Sequence, residues 1–129
     1  MEAGFDRERP IYVQIAERIK SRVLSGRYKP GEKLPSVRDL AMEMSVNPNT
    51  MQRAMAELER EGVLFSKRTA GRYISEDEEL LGRFRQRMIA EEAEAFLNRL
   101  KELGISREEI LLALEKAEEE IRDDTHCNV

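Results

Sequence analysis

The sequence predicts a mainly α-helical chain with one small β hairpin, an N-terminal winged helix-turn-helix followed by a C-terminal two-helix element. Three observations carry that expectation. Met51, Ala54, Met55 and Leu58 recur at helical spacing in a segment that has its own start signal, Asn47-Pro48, and its own stop, Gly62. Directly after Gly62 the pattern turns strand-like, with Val63-Leu64-Phe65-Ser66 and Arg72-Tyr73-Ile74-Ser75 flanking the basic loop Lys67-Arg68-Thr69-Ala70-Gly71. From Leu80 onward two long amphipathic patterns run almost to the end of the chain.

The first element opens at Pro10. Ile11, Ile15, Ile19 and Val23 stand four apart, with Tyr12, Ala16 and Leu24 widening the stripe, so the segment reads as a helix that stops near Gly26. Arg27 to Pro35 contains Pro30-Gly31 and a second proline, Pro35, which mark a turn-rich connection. Ser36 then starts a short helix, with Asp39 as a capping-box-like partner and Val37, Leu40, Ala41 and Met44 as its apolar face. Met44 to Pro48 leaves room only for a tight turn. Two helices joined in this way, the second polar on its outer face, make a helix-turn-helix.

In the second of these helices the buried stripe leaves Asn49, Thr50, Gln52, Arg53 and Glu57 pointing away from the core. Amides, a hydroxyl and a guanidinium at the N-terminal end of an exposed helix face are suited to base edges and phosphates in a major groove. The hairpin that follows would be a wing, with Lys67, Arg68 and Arg72 near its tip for the phosphate strand or the minor groove. Ser36 and Asn47 stand with these candidates, although capping alone would require them in any helical protein.

The acidic run Glu76-Asp77-Glu78-Glu79 leads into a helical pattern that includes Leu81, Phe84, Met88, Ile89, Phe96, Leu97 and Leu100 and ends at Gly104. Ser106, with Glu109 three residues on, starts a last helix carrying Ile110, Leu114, Ala117 and Ile121. Two helices bury too little to stand alone, so their stripes need a partner. A second copy of the chain is the simplest one, with Leu81, Phe84, Met88, Phe96, Leu100, Ile110, Leu114 and Ile121 as the expected dimer residues. The expected domains are 1–76, 77–122 and a flexible tail, 123–129.

Charge separates the two parts. Through residue 75 there are 14 Lys+Arg against 10 Asp+Glu, and beyond it 8 against 16, so a basic part and an acidic part together make the net charge of −4. Only the first is suited to a phosphate backbone. Neither a membrane span nor a signal peptide can be placed, which predicts a cytoplasmic protein with no membrane partner. One histidine, one cysteine and no glycine-rich phosphate loop leave no catalytic constellation, and no cofactor is expected. Asp123, Asp124, His126 and Cys127 carry ligand atoms but no recognised metal-site spacing, so no metal is expected either.

Taken in order, Gly26 to Ala41, Val46-Asn47-Pro48-Asn49-Thr50, Ala56 to Gly62 and Gly71-Arg72-Tyr73-Ile74 resemble the winged-helix domain of the GntR family of bacterial transcription regulators. The Asn-Pro-Asn-Thr variant and the short C-terminal part are similar to its YtrA-like subfamily. The resemblance implies DNA contacts from Arg38, Asn49, Thr50 and Arg53, and a close backbone approach at Gly71. Thr69 stands where many relatives have the first glycine of a Gly-x-Gly turn, which implies a different turn or a looser wing. The resemblance further implies a homodimeric repressor without a large ligand-binding domain; a symmetric dimer calls for a palindromic, double-stranded operator, and a small-molecule effector of unidentified chemistry would have to bind between the C-terminal helices or at the dimer seam. The competing reading is a winged helix that docks on protein and does not bind DNA.

Overall fold

A computed structural model describes residues 4–68 and 70–127, with side chains described as far as Asp123. Five helices and a two-stranded antiparallel hairpin follow in the order α1 (Ile11–Leu24), α2 (Val37–Met44), α3 (Pro48–Glu61), β1 (Leu64–Lys67), β2 (Gly71–Ile74), α4 (Glu78–Glu102) and α5 (Arg107–Cys127).

The local signals explain most of the boundaries. Ser36 caps α2, its hydroxyl accepting from the Asp39 amide at 3.1 Å. Asn47 caps α3, its side chain accepting from the Asn49 amide at 2.7 Å, and Pro48 follows where the helix needs no donor. Between them Ser45 takes the left-handed conformation (φ 56°) and the Val46 amide returns to the Ala41 carbonyl, which makes the tight turn. At the other end of α3, Gly62 (φ 87°) reverses the chain; a β-carbon there would stand 2.9 Å from the Leu80 side chain.

The core lies between α1, α2, α3 and the root of the hairpin. Ile15, Ile19, Leu40, Met44, Met51, Met55, Leu58, Val63 and Ile74 are its largest fully enclosed side chains. Burial of each contributes about 1.5 to 3 kcal/mol relative to exposure. Arg22 of α1 is buried beside this core, donating to the Tyr28 hydroxyl at 3.2 Å and pairing with Glu43 of α2 at 3.2 Å. The connection before α2 does more than turn. Leu34 and Ile74 exchange backbone bonds with Arg72 and Glu32 around a Lys33–Tyr73 bridge, so this segment lies as a third rung along β2.

The chain divides into two compact units, Met1–Gln86 and Arg87–Val129. The division falls later than the boundary expected at residue 76, because the root of α4 packs on the first unit. Leu81 and Phe84 lie against the core, and Arg85 donates to the Leu24 carbonyl at 2.5 Å. Leu81 and Phe84, expected in a dimer seam, are therefore used first within the chain.

In the second unit Ser106 and Glu109 form a complete capping box, each side chain accepting from the other's amide at 3.2 and 3.1 Å. Those bonds hold the Glu109 carboxyl below its usual range. Ile110, also expected in the seam, is buried within this unit at 5% exposure. It sits at an apolar depression of about 450 Å³ lined by Ala93, Phe96, Leu97, Ile105, Leu111 and Leu114. Of the residues expected as a tail, 123–127 are the end of α5, which runs to Cys127, and 128–129 lie outside the described residues. The side chains of Asp124, His126 and Cys127 lie outside the described residues. No helix among the described residues is long and apolar enough to cross a membrane.

Candidate nucleic-acid interface

The exposed face of α3 follows from its buried one. With Met51, Ala54, Met55 and Leu58 turned inward, Asn49, Gln52 and Arg53 are exposed and Thr50 is half-buried. Asn47 spends its side-chain oxygen on the cap, which leaves its amide N–H groups for another partner. Ser36 and Arg38 are exposed at the start of α2. Arg38 and Arg68 form no ion pair among the described residues.

The wing divides by strand parity. Leu64, Ser66, Arg72 and Ile74 face the helices, while Phe65, Lys67 and Tyr73 form the outer face. There Phe65 and Tyr73 stack with ring centroids 5.8 Å apart, and the Lys67 ammonium lies 4.4 Å from the Tyr73 ring centre. Gly71 (φ 90°) closes the loop opposite Lys67, and a β-carbon on it would reach within 3.4 Å of the Lys33 side chain. Thr69 lies outside the described residues, so the departure at the wing turn stays an expectation of the sequence.

Arg72, expected as a wing contact to DNA, has a partner within the chain. Its guanidinium pairs with Glu59 of α3, whose carboxylate also accepts from the Ser66 hydroxyl at 2.7 Å. Arg72 is only 19% exposed. It fastens the wing to α3, and its charge is answered inside the chain. Burial works against the ionised Glu59, but the bonds from Arg72 and Ser66 and the Arg72 charge outweigh it and hold the carboxyl below its usual range. A carboxyl depressed by folding contributes stability above its unfolded pKa, and that contribution is lost as pH falls through the folded value. Glu59→Gln is therefore expected to lower the unfolding midpoint at neutral pH, with the gap to the parent chain closing on acidification. It should also speed hydrogen exchange of the β1 and β2 amides. A gap that does not change with pH would show that the ionised Glu59 contributes nothing to stability.

Three positions belong to this face that the sequence did not single out. Lys33 borders a groove of about 510 Å³ between the start of α2 and the wing, which is also lined by Pro35, Ser36, Ala70, Gly71 and Arg72. Its signal was masked by its place in a connection that reads as turn. Glu59 is the wing's anchor, and Tyr12 of α1 lies under Arg53, whose guanidinium carbon is 3.9 Å from the ring centre. Both arise from contacts between elements, which periodicity does not report.

A helix-turn-helix whose second helix is exposed at its N-terminal end, with a basic hairpin beside it, defines the winged-helix class of regulator. The family model for bacterial regulatory proteins of the gntR family matches residues 11–74. The HTH-type transcriptional regulator YhcF of Bacillus subtilis is 40% identical over 111 residues, 86% of this chain and 92% of that one. The HTH-type transcriptional repressor YtrA of the same organism is 53% identical over 68 residues, 53% of this chain and 52% of that one. A solved GntR family transcriptional regulator from Listeria monocytogenes superposes with a TM-score of 0.79 at 38% identity, covering 87% of this chain and 98% of that one. The chain belongs to the GntR family, in its YtrA-like subfamily, and is a transcription regulator, not an enzyme.

Proposed function

We propose that the chain is a homodimeric repressor that binds a palindromic operator, with α3 in the major groove and the wing on the phosphate backbone or in the minor groove. The observation that supports this most is that α3 exposes Asn49, Gln52 and Arg53 while the start of α2, the groove beside it and the wing expose the cations Arg38, Lys33, Lys67 and Arg68. The side chains on α3 would read base edges, and the flanking cations would set register on the phosphates. Repression is taken from the related YtrA, whose name states it. On a promoter the bound dimer would exclude polymerase by occupancy. A cytoplasmic location goes with that role.

Dimerisation is proposed from the C-terminal unit. Ile89, Leu97, Leu111, Leu114 and Ile121 are each more than 40% exposed, and α4 has no fully buried residue along its length. Met88, Phe96, Leu100, Leu114 and Ile121 are the residues proposed for the seam, which would remove this apolar surface from water. Two-fold symmetry would then present two α3 helices to half-sites about 34 Å apart, or a simple multiple of that. An effector, if one acts, would bind in the C-terminal unit or at the seam.

Salt dependence of duplex binding tests the DNA reading against protein docking. Phosphate contact is expected to give a steep linear fall of log affinity with log salt, about 0.9 per phosphate neutralised. Binding that is absent, or flat with salt, would favour docking on protein.

A further inference from the structure

We infer that Tyr12 is a specificity-determining positioning residue, a ring platform on α1 that holds the Arg53 guanidinium flat and ready for a base edge. The inference rests on the reading of Arg53 as a base-contacting residue. It begins from the stack itself, with the Arg53 guanidinium carbon 3.9 Å from the Tyr12 ring centre while Arg53 remains exposed. A guanidinium lying on a ring uses its face and keeps the in-plane N–H fork open, and that fork is the part that matches the O6 and N7 acceptors of guanine.

The platform is braced. Tyr12 packs against the core from a half-buried position on α1. Two residues after it, the Gln14 side chain ties the segment that precedes α1 to the helix, accepting from the Asp6 amide at 2.6 Å and donating to the Asp6 and Arg9 carbonyls at 2.6 and 2.9 Å. The natural competitor for Arg53 is Glu57, one turn further along α3. Both Glu57 oxygens are engaged by Arg60, one of them by its Nε at 3.1 Å. The Glu57 carboxylate still feels the Arg53 charge, but its hydrogen bonds go to Arg60 and the contact that holds the Arg53 guanidinium is the neutral ring, so Arg53 loses rotamer freedom that it would otherwise lose on binding without giving its N–H groups to a carboxylate.

The test uses the full chain, its Tyr12→Leu and Tyr12→Phe variants, and each of these with Arg53→Ala. In the free protein the Arg53 Nε–H proton should show an upfield ring-current shift that survives in Tyr12→Phe and disappears in Tyr12→Leu. The DNA probes are the duplex enriched by the parent chain from a random library and a shuffled duplex of equal composition. Tyr12→Leu should lower the ratio of the two affinities about two- to fivefold, the worth of an exposed cation–π contact. Tyr12→Phe should keep the ratio, and Tyr12→Leu should add no further loss once Arg53 is Ala. An unchanged or higher ratio in Tyr12→Leu, or an equal loss in the Arg53→Ala background, overturns the inference while leaving the DNA reading intact. No ring-current shift in the parent chain overturns it without reference to DNA. If Arg53→Ala itself leaves the ratio unchanged, the base contact fails and the inference with it.

Discussion

A chain ending at Gln86 is expected to bind a full inverted-repeat operator on the order of 10²- to 10⁴-fold more weakly than the intact protein, while binding an isolated half-site about equally well. The loss comes from joining. When two half-site binders are linked, the second binding event becomes intramolecular, and removing the C-terminal unit returns it to free solution. The cut belongs after Gln86, since Leu81, Phe84 and Arg85 complete the first unit and a cut at residue 75 or 76 would strip its core as well. Titration of both chains on full and half-sites at one salt concentration, with light scattering for mass, decides the matter. A truncated chain that held full sites as tightly as the parent would remove the C-terminal helices from the binding mechanism.

Replacing Arg53 by Ala is expected to cost about 1 to 3 kcal/mol of discrimination at one position of each half-site, with a smaller loss on non-specific duplex. Arg53 is exposed near the start of α3 and stacked on Tyr12, and the hydrogen bonds of the neighbouring Glu57 carboxylate go to Arg60. Arg38→Ala and Arg68→Ala are the informative contrasts. As phosphate contacts they should weaken all sequences alike and reduce the salt slope by about one each. An Arg53→Ala variant with an unaltered base preference would assign Arg53 to positioning only.

The sequence disclosed those features whose causes are local. Asn47-Pro48 and Gly62 bound α3 because caps act over a few residues, and the Ser106–Glu109 box opens α5 for the same reason. The hairpin strands fall one residue from their expected places, at Leu64–Lys67 and Gly71–Ile74, because alternation marks a strand better than its ends. What was not legible depends on partners far apart in sequence. Arg72 reads as a free cation until Glu59 is brought beside it, and Phe84 reads as seam until the α1–α3 core meets it. Arg22 is similar, a charge in an amphipathic helix that turns out to be buried against Tyr28 and Glu43. Ile110 belongs to its own unit because the depression beside it is lined by residues from both α4 and α5.

Contacts between elements add to the expected set: Arg72 anchors the wing through Glu59, Lys33 borders the groove beside the start of α2, and Tyr12 lies under the Arg53 guanidinium. The seam proposed for the dimer begins at Met88, beyond the side chains already used within the first unit.

The central proposal is a symmetric dimer reading DNA through α3, and selection of duplexes from a random library by the full chain, at about 150 mM salt with excess non-specific competitor, tests it most directly. The expected result is an enriched inverted repeat whose half-site centres lie a whole number of helical turns apart, about 34 Å or a multiple of it. No enrichment by protein shown to be folded and dimeric, or enrichment of a single unrepeated site, would contradict it.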